Sequence, residues 1–224
     1  MATTQRRTVM VSLCAVALLA VSGCGGGGTT SSASSPATTS GKAASSAASQ
    51  TYSSKAFLVP LTVTVDPALK SPPIRDSSHF LTWDAVASQE NKIRFLVPVV
   101  VFPAGKETPQ APPKEYLKYL MAQAKDGALF SNVTKTTVDA HPATLMDTTG
   151  TAPEGFLSGL LGCYERVSNK HKDPCLGLQP GTFARLAVID VGDTTLLAWA
   201  RSQGVPDKEF YAMFEHMLQS VRFR

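Results

Sequence analysis

The sequence predicts an α+β fold: an antiparallel sheet covered by two main helices. Three observations carry this. Strand-length apolar runs follow one another with turns between them. Two amphipathic helical patterns stand among them singly. No repeated strand–helix–strand unit of the parallel kind occurs. Aromatic and β-branched residues with mixed charge begin near Lys55-Ala56-Phe57, and residues 56–224 suffice for one domain with a core. No internal repeat is present.

The elements follow in order. Residues 57–65 alternate apolar and polar at their end and meet Asp66-Pro67, which reads as a strand and a breaker. Residues 79–83 read as a second strand. Residues 93–102 are nearly continuous β-branched sequence and suit a central strand, with Pro98 requiring a bulge or an edge. A helix is expected over residues 113–126, with Pro113 in its first turn and Gly127 just past its end. Tyr116, Leu117, Leu120, Met121 and Ala124 share one face, which reads as core packing. Short strands over 133–138 and 143–148 are split at His141-Pro142. Residues 183–191 and 194–201 flank Gly192-Asp193 and form the clearest hairpin of the chain. A second helix spans 206–220, with Phe210, Met213, Phe214, Met217, Leu218 and Val221 directed at the sheet. A short last strand, 221–223, follows.

The first 55 residues differ in kind. Arg6 and Arg7 precede an apolar stretch over residues 8–21, the layout of a secretory leader. About 14 residues are too few for a membrane-spanning helix, which needs roughly 20. The run Val21-Ser22-Gly23-Cys24 resembles the lipobox of bacterial lipoproteins. Small residues at 22 and 23 fit beside a peptidase cut, and Cys24 would be acylated, with palmitate-type chains, as the mature N-terminus. Cys14 sits behind Leu13 and lacks the small residue that cleavage requires. Arg6-Arg7 also resembles a twin-arginine export signal, which Thr8-Val9-Met10 fits only loosely. The domain expectation is therefore 1–23 signal peptide, 24–55 acylated cysteine and flexible tether, and 56–224 globular domain. The tether is Gly, Ser, Thr and Ala with almost no charge and cannot bury enough surface to order itself. Its r.m.s. span is roughly 30 Å.

The formal charge is +4, and removing the two leader arginines leaves +2, too little to argue for nucleic acid. Cys163 and Cys175 form an even pair in an exported domain, most simply a disulfide. The rival is a metal site using His171. Zinc sites normally offer paired, closely spaced ligands, and one histidine between distant cysteines does not.

Catalytic motifs are missing from the sequence. Residues 155–159 have the wrong spacing for a nucleophile elbow. Glu215-His216 lacks the second histidine of a zinc-protease helix. His79, His141, His171 and His216 are isolated along the chain. His79 and Asp84 lie near Trp83, but strand alternation puts them on opposite faces. Asn132-Val133-Thr134 matches a glycosylation sequon, which carries little weight in a bacterial lipoprotein. No catalytic residue, metal or cofactor is expected.

One segment, residues 155–162, is apolar and punctuated by glycine. Phe156, Leu157, Leu160 and Leu161 are expected either to line a groove or docking surface or to fill a buried loop or strand.

The layout over 61–224 resembles the actinobacterial LpqN-type lipoproteins, whose domain is similar to the Mog1/PsbP fold. The match rests on the lipobox, the Ser/Thr-rich tether and the early strand ending near Pro67. It rests also on the hairpin at Gly192-Asp193 and the amphipathic helix ending Leu218-Gln219-Ser220-Val221. It covers about three quarters of the chain. The resemblance implies a mostly non-catalytic fold, a role in the cell envelope, and protein partners or envelope glycolipids as ligands. The leading expectation is a membrane-anchored, extracytoplasmic binding or accessory lipoprotein. An adaptor with no small ligand and an enzyme of unfamiliar design are the alternatives. An apolar pocket under the second helix would favour a lipid, a flat aromatic face a protein partner, and a cleft joining His to Asp or Glu an enzyme.

Overall fold

A computed structural model describes residues 48–106, 108–151, 160–165 and 175–224 of the chain. Its strands are β1 (Gln50–Ser53), β2 (Leu61–Val65), β3 (Arg75–Asp76), β4 (Phe80–Asp84), β5 (Lys92–Leu96) and β6 (Val100–Phe102). Helix α1 (Tyr116–Ala122) follows, continued by a 3-10 turn (Gln123–Asp126). Then come β7 (Ala128–Val138), β8 (His141–Gly150), β9 (Leu160–Cys163), β10 (Cys175–Gly177), β11 (Thr182–Val191) and β12 (Thr194–Gln203). Helix α2 (Lys208–Ser220) and β13 (Arg222–Phe223) end the chain.

The strands make three antiparallel sheets. The largest has seven strands in the order β3-β4-β5-β12-β11-β8-β7. Its centre is the hairpin of β11 and β12, in register from Val191 opposite Thr194 to Thr182 opposite Gln203. Gly192 turns the chain at φ 61, the left-handed conformation a two-residue primed turn asks of a glycine. Leu196 to Ala200 are buried on both faces, so this strand reads as a continuous apolar run.

Period-two alternation separates two cores. One face of the sheet presents Leu81, Trp83, Ile93 and Phe95, and α2 and β2 close over it. From α2 come Phe210, Tyr211, Phe214, Met217 and Leu218. Burying each such side chain contributes about 1.5–3 kcal/mol. The other face presents Phe80, Leu96, Leu197 and Leu186, under α1 and the three-stranded sheet β10-β9-β6. Gly162 in β9 lies so close that an added Cβ would stand 3.1 Å from Leu96 and Leu197 side chains. The architecture is the expected α+β arrangement of antiparallel sheet and two helices.

Several local expectations are corrected. Residues 93–102 are two strands in two sheets, not one. Pro98 has no N–H to offer, and the chain crosses there: Val97 N donates to His79 O (3.0 Å) and Val99 N to Cys163 O (2.7 Å). The first helix begins at Tyr116 rather than 113, because the backbone is still outside the helical region at Glu115 (φ −87, ψ 66). Its buried face is Tyr116, Leu120 and Gln123, while Met121 and Ala124 are exposed. Gln123 is satisfied in the interior, donating to Tyr119 O (2.9 Å) and accepting from Ala104 N (3.0 Å). The β7–β8 turn is Asp139-Ala140, both at positive φ, and His141-Pro142 opens β8 instead of breaking it.

The composition of residues 24–55 reads as tether to its end, yet Gln50–Ser53 form β1, paired with β2. Tyr52 accounts for this. Its hydroxyl donates to Asp76 Oδ2 (2.6 Å), and its ring meets Trp83 edge-on at 5.7 Å. Residues 1–47, where the leader and most of the tether were read, lie outside the described residues.

Candidate functional site

Strand register builds the candidate site on the α1 side of the large sheet. Residues directly opposite on neighbouring strands share a face, so Phe80, Leu96 and Leu197 make one apolar row. Two positions along, the row reads Arg75, Thr82, Arg94, Trp199 and Leu186. Two further, it reads Asp84, Lys92, Arg201 and Ala184. The face thus passes from apolar to cationic along its strands.

At the cationic end lies a recess of about 270 Å³ lined by Arg94, Trp199, Arg201, Thr182, Ala184 and the segment 175–179. Its wall is set by a close approach. A Cβ on Gly150 would stand 2.7 Å from Leu178 C and O, so only glycine lets that backbone sit over the end of β8. Trp199 is 1% exposed and forms the floor. The Arg94 guanidinium lies 5.6 Å from the Phe80 ring centroid and 6.0 Å from that of Trp199, distances at which cation–π attraction operates.

Charge on this face is unevenly matched. Lys92 pairs with Asp84 at 2.9 Å, and Arg75 with Glu165 at 3.1 Å. Arg75 also donates to the Tyr164 hydroxyl and lies 4.5 Å over its ring. Burial holds the Tyr164 phenol above its ordinary pKa, against the lowering pull of Arg75 and Arg94. Arg201 donates from Nη2 to Gln203 Oε1 at 3.3 Å. No carboxylate lines the recess among the described residues.

Buried polar atoms without a partner among the described residues gather on this same face. Thr82 Oγ1, Thr148 Oγ1, Trp199 Nε1 and Arg201 Nε belong to it. Trp83 Nε1 lies on the opposite face. Native interiors pair nearly all such groups.

A second recess lies beside α2 and is polar, not apolar. There Arg185 bonds Asp147 (3.0 Å) and Glu215 (2.9 Å), and Asn132 donates to Asp147 (2.6 Å). His216 lines it, but both carboxylates are engaged by Arg185. The Asn132 amide of the sequon is likewise occupied.

The sequence-predicted site residues fare differently. Cys24, Phe156, Leu157 and His171 lie outside the described residues. Leu160 opens β9. Leu161 is fully buried in the second core, so it packs the interior and forms no exposed surface. Cys163 and Cys175 are bonded, and they are direct partners across β9 and β10. His79 Nδ1 meets Ser78 Oγ at 2.9 Å, and His141 packs edge-on against Phe223. Among the described residues no three His, Cys, Asp or Glu gather as metal ligands. Arg94, Trp199 and Arg201 were missed. Their signal was present: Arg94 stands between Ile93 and Phe95, and Arg201 closes the apolar run 196–200. Charged side chains are seldom found inside apolar strands.

No family model matches the chain, and no curated protein does. In fold it is similar to a cyanobacterial PsbP from Synechocystis sp. PCC 6803, with TM-score 0.42 and 7% identity, over 79% of this chain and 92% of that one. It is also similar to the Saccharomyces cerevisiae Ran-binding protein Mog1p, with TM-score 0.40 and 9% identity, over 78% and 96%. The likeness is one of fold alone.

Proposed function

We propose that the chain is a lipid-anchored binding protein on the extracytoplasmic face of a cell membrane, non-catalytic, of the kind the LpqN-type resemblance implies. Residues 1–23 are then its leader, Cys24 its acylated N-terminus, and the tether holds the domain near the bilayer. The recess over Trp199 is the ligand site. The observation that carries the binding reading is the recess itself, walled by a glycine-permitted backbone contact and lined by two arginines with no acid among the described residues. The lipobox carries the anchor. No helix among the described residues is long and apolar enough to cross a membrane.

Metabolic labelling with palmitate tests the anchor. The full chain expressed in a bacterial host incorporates label and sediments with membranes, while Cys24→Ser does neither. An unlabelled wild-type chain, or a labelled Cys24→Ser chain, refutes the anchor. Native mass spectrometry of the chain purified from its own envelope tests the site by the mass it retains.

A further inference from the structure

We propose that one end of the large sheet docks on the lipid bilayer that carries the anchor, through apolar side chains at its loop tips. The proposal rests on the reading that Cys24 is acylated. Val205 and Val86 are the two most exposed large apolar side chains among the described residues, at 69% and 62%. Val205 lies just beyond the end of β12 and Val86 just beyond the end of β4. Asp84 stands opposite Lys92, and Lys92 opposite Arg201, so β4 and β12 end on the same side of the sheet. Asn91 Nδ2 donates to Asp207 Oδ2 (3.0 Å) and ties the β4–β5 loop to the segment that holds Val205. Leu58 is also exposed, but it lies at the opposite end, beside Pro98 and Asp193.

The entry of the chain decides between the two ends. Gln50 stands opposite Val65, and its Oε1 accepts from Ser71 Oγ (3.1 Å). The turn between Val65 and Ser71 is joined to the β4–β5 loop. Leu69 bridges Ala85, Lys70 N donates to Asp84 O (2.9 Å), and Val86 N donates to Ala68 O (2.8 Å). Residues 24–49 therefore lead from the acyl group to the end that bears Val86 and Val205. Their r.m.s. span is roughly 25–30 Å. A tether of that length keeps the loop tips near the bilayer at an effective concentration of about millimolar, where even a weak contact is occupied. The loops and their flanks carry charges of both signs, Lys70, Glu90, Lys208 and Glu209. The contact is therefore apolar, made at the boundary of head groups and acyl chains, and needs no anionic lipid. Aliphatic tips carried singly on separate segments suit that fluid boundary better than the continuous patch a protein partner covers.

The test uses the full acylated chain in vesicles of phosphatidylcholine brominated along its acyl chains, which quench an indole that touches them. Trp83 and Trp199, the two tryptophans of the chain, are buried, so an indole introduced at a loop tip is the one within reach. Val205→Trp is expected to lose about half of its added emission or more in brominated vesicles. Asp193→Trp, in the hairpin turn at the opposite end of β12, keeps its emission. Val86→Trp repeats the measurement if Val205→Trp does not fold. Val86→Asp, added to Val205→Trp, reduces the quenching about twofold or more, since a carboxylate resists entry among acyl chains. A chain that sediments with the vesicles while Val205→Trp and Val86→Trp stay unquenched overturns the docking and leaves the anchor standing. Equal quenching of Asp193→Trp overturns it as well. A blue shift of the introduced indole without quenching marks a protein partner or a second copy at this end, and overturns it too. A chain that incorporates no palmitate removes both readings.

Discussion

Ala140 holds φ 67 in the turn between β7 and β8, beside Asp139 at φ 48. An L side chain in this left-handed region costs roughly 1–2 kcal/mol. Asp139 is fitted for the place: its carboxylate accepts from Phe223 N at 2.8 Å and ties the turn to the last strand. Ala140 has no such bond to offset its conformation. Ala140→Gly removes the clash and adds unfolded-chain entropy, for a net gain of about 1 kcal/mol. Urea unfolding of the two chains measures it, and a midpoint lowered by the glycine contradicts the strain. The functional residues show the same dependence on setting. Arg94 and Arg201 are ordinary strand cations in sequence. Trp199 between their rows, and a wall that Gly150 permits, turn them into lining of one recess.

Elements begin and end here by identifiable local chemistry. Asp207 caps α2, its Oδ1 accepting from Phe210 N at 3.0 Å, while Oδ2 accepts from Asn91 Nδ2 at 3.0 Å. The carboxylate also sits at the positive end of the helix dipole. Asp207→Ala should cost about 1–2 kcal/mol. Hydrogen exchange of the first turn of α2 checks this, since the amides of 209–211 should lose protection before those of 214–218. Equal protection in both chains would show the cap to be idle. The helix was legible in sequence because its apolar face repeats every three or four residues. Only Tyr211 was missed; it is buried because its hydroxyl meets Ser202 Oγ at 3.0 Å. The first helix was less legible. Its Gln123 reads as polar surface, and only the interior bonds to Ala104 and Tyr119 make it core.

At the scale of the molecule, all five tyrosines have phenols raised above their ordinary value of 10.0, burial being the largest cause for each. Tyr52 is raised further by its bond to Asp76. In the unfolded chain these groups lose protons near pH 10, whereas the folded chain still holds them. The unfolded state then binds fewer protons, so stability falls as pH rises above about 10 and is unaffected below it. Melting temperature followed from about pH 8 to about pH 11 should be level and then drop. A level curve throughout would mean that these phenols titrate normally.

The sequence by itself determined the α+β class, the Gly192-Asp193 hairpin, the bonded cysteine pair and the inward face of α2. Each follows from local periodicity, turn chemistry or cysteine count, which a short window of residues contains. The tertiary structure alone decided that β1 joins a sheet, that Pro98 divides two sheets, and that Leu161 is core. It alone gathered Arg94, Trp199, Arg201 and residues 175–179 into one recess. Alternation along a strand tells which residues share a face, but not which strands lie side by side. That choice is made by burial between residues distant in the chain.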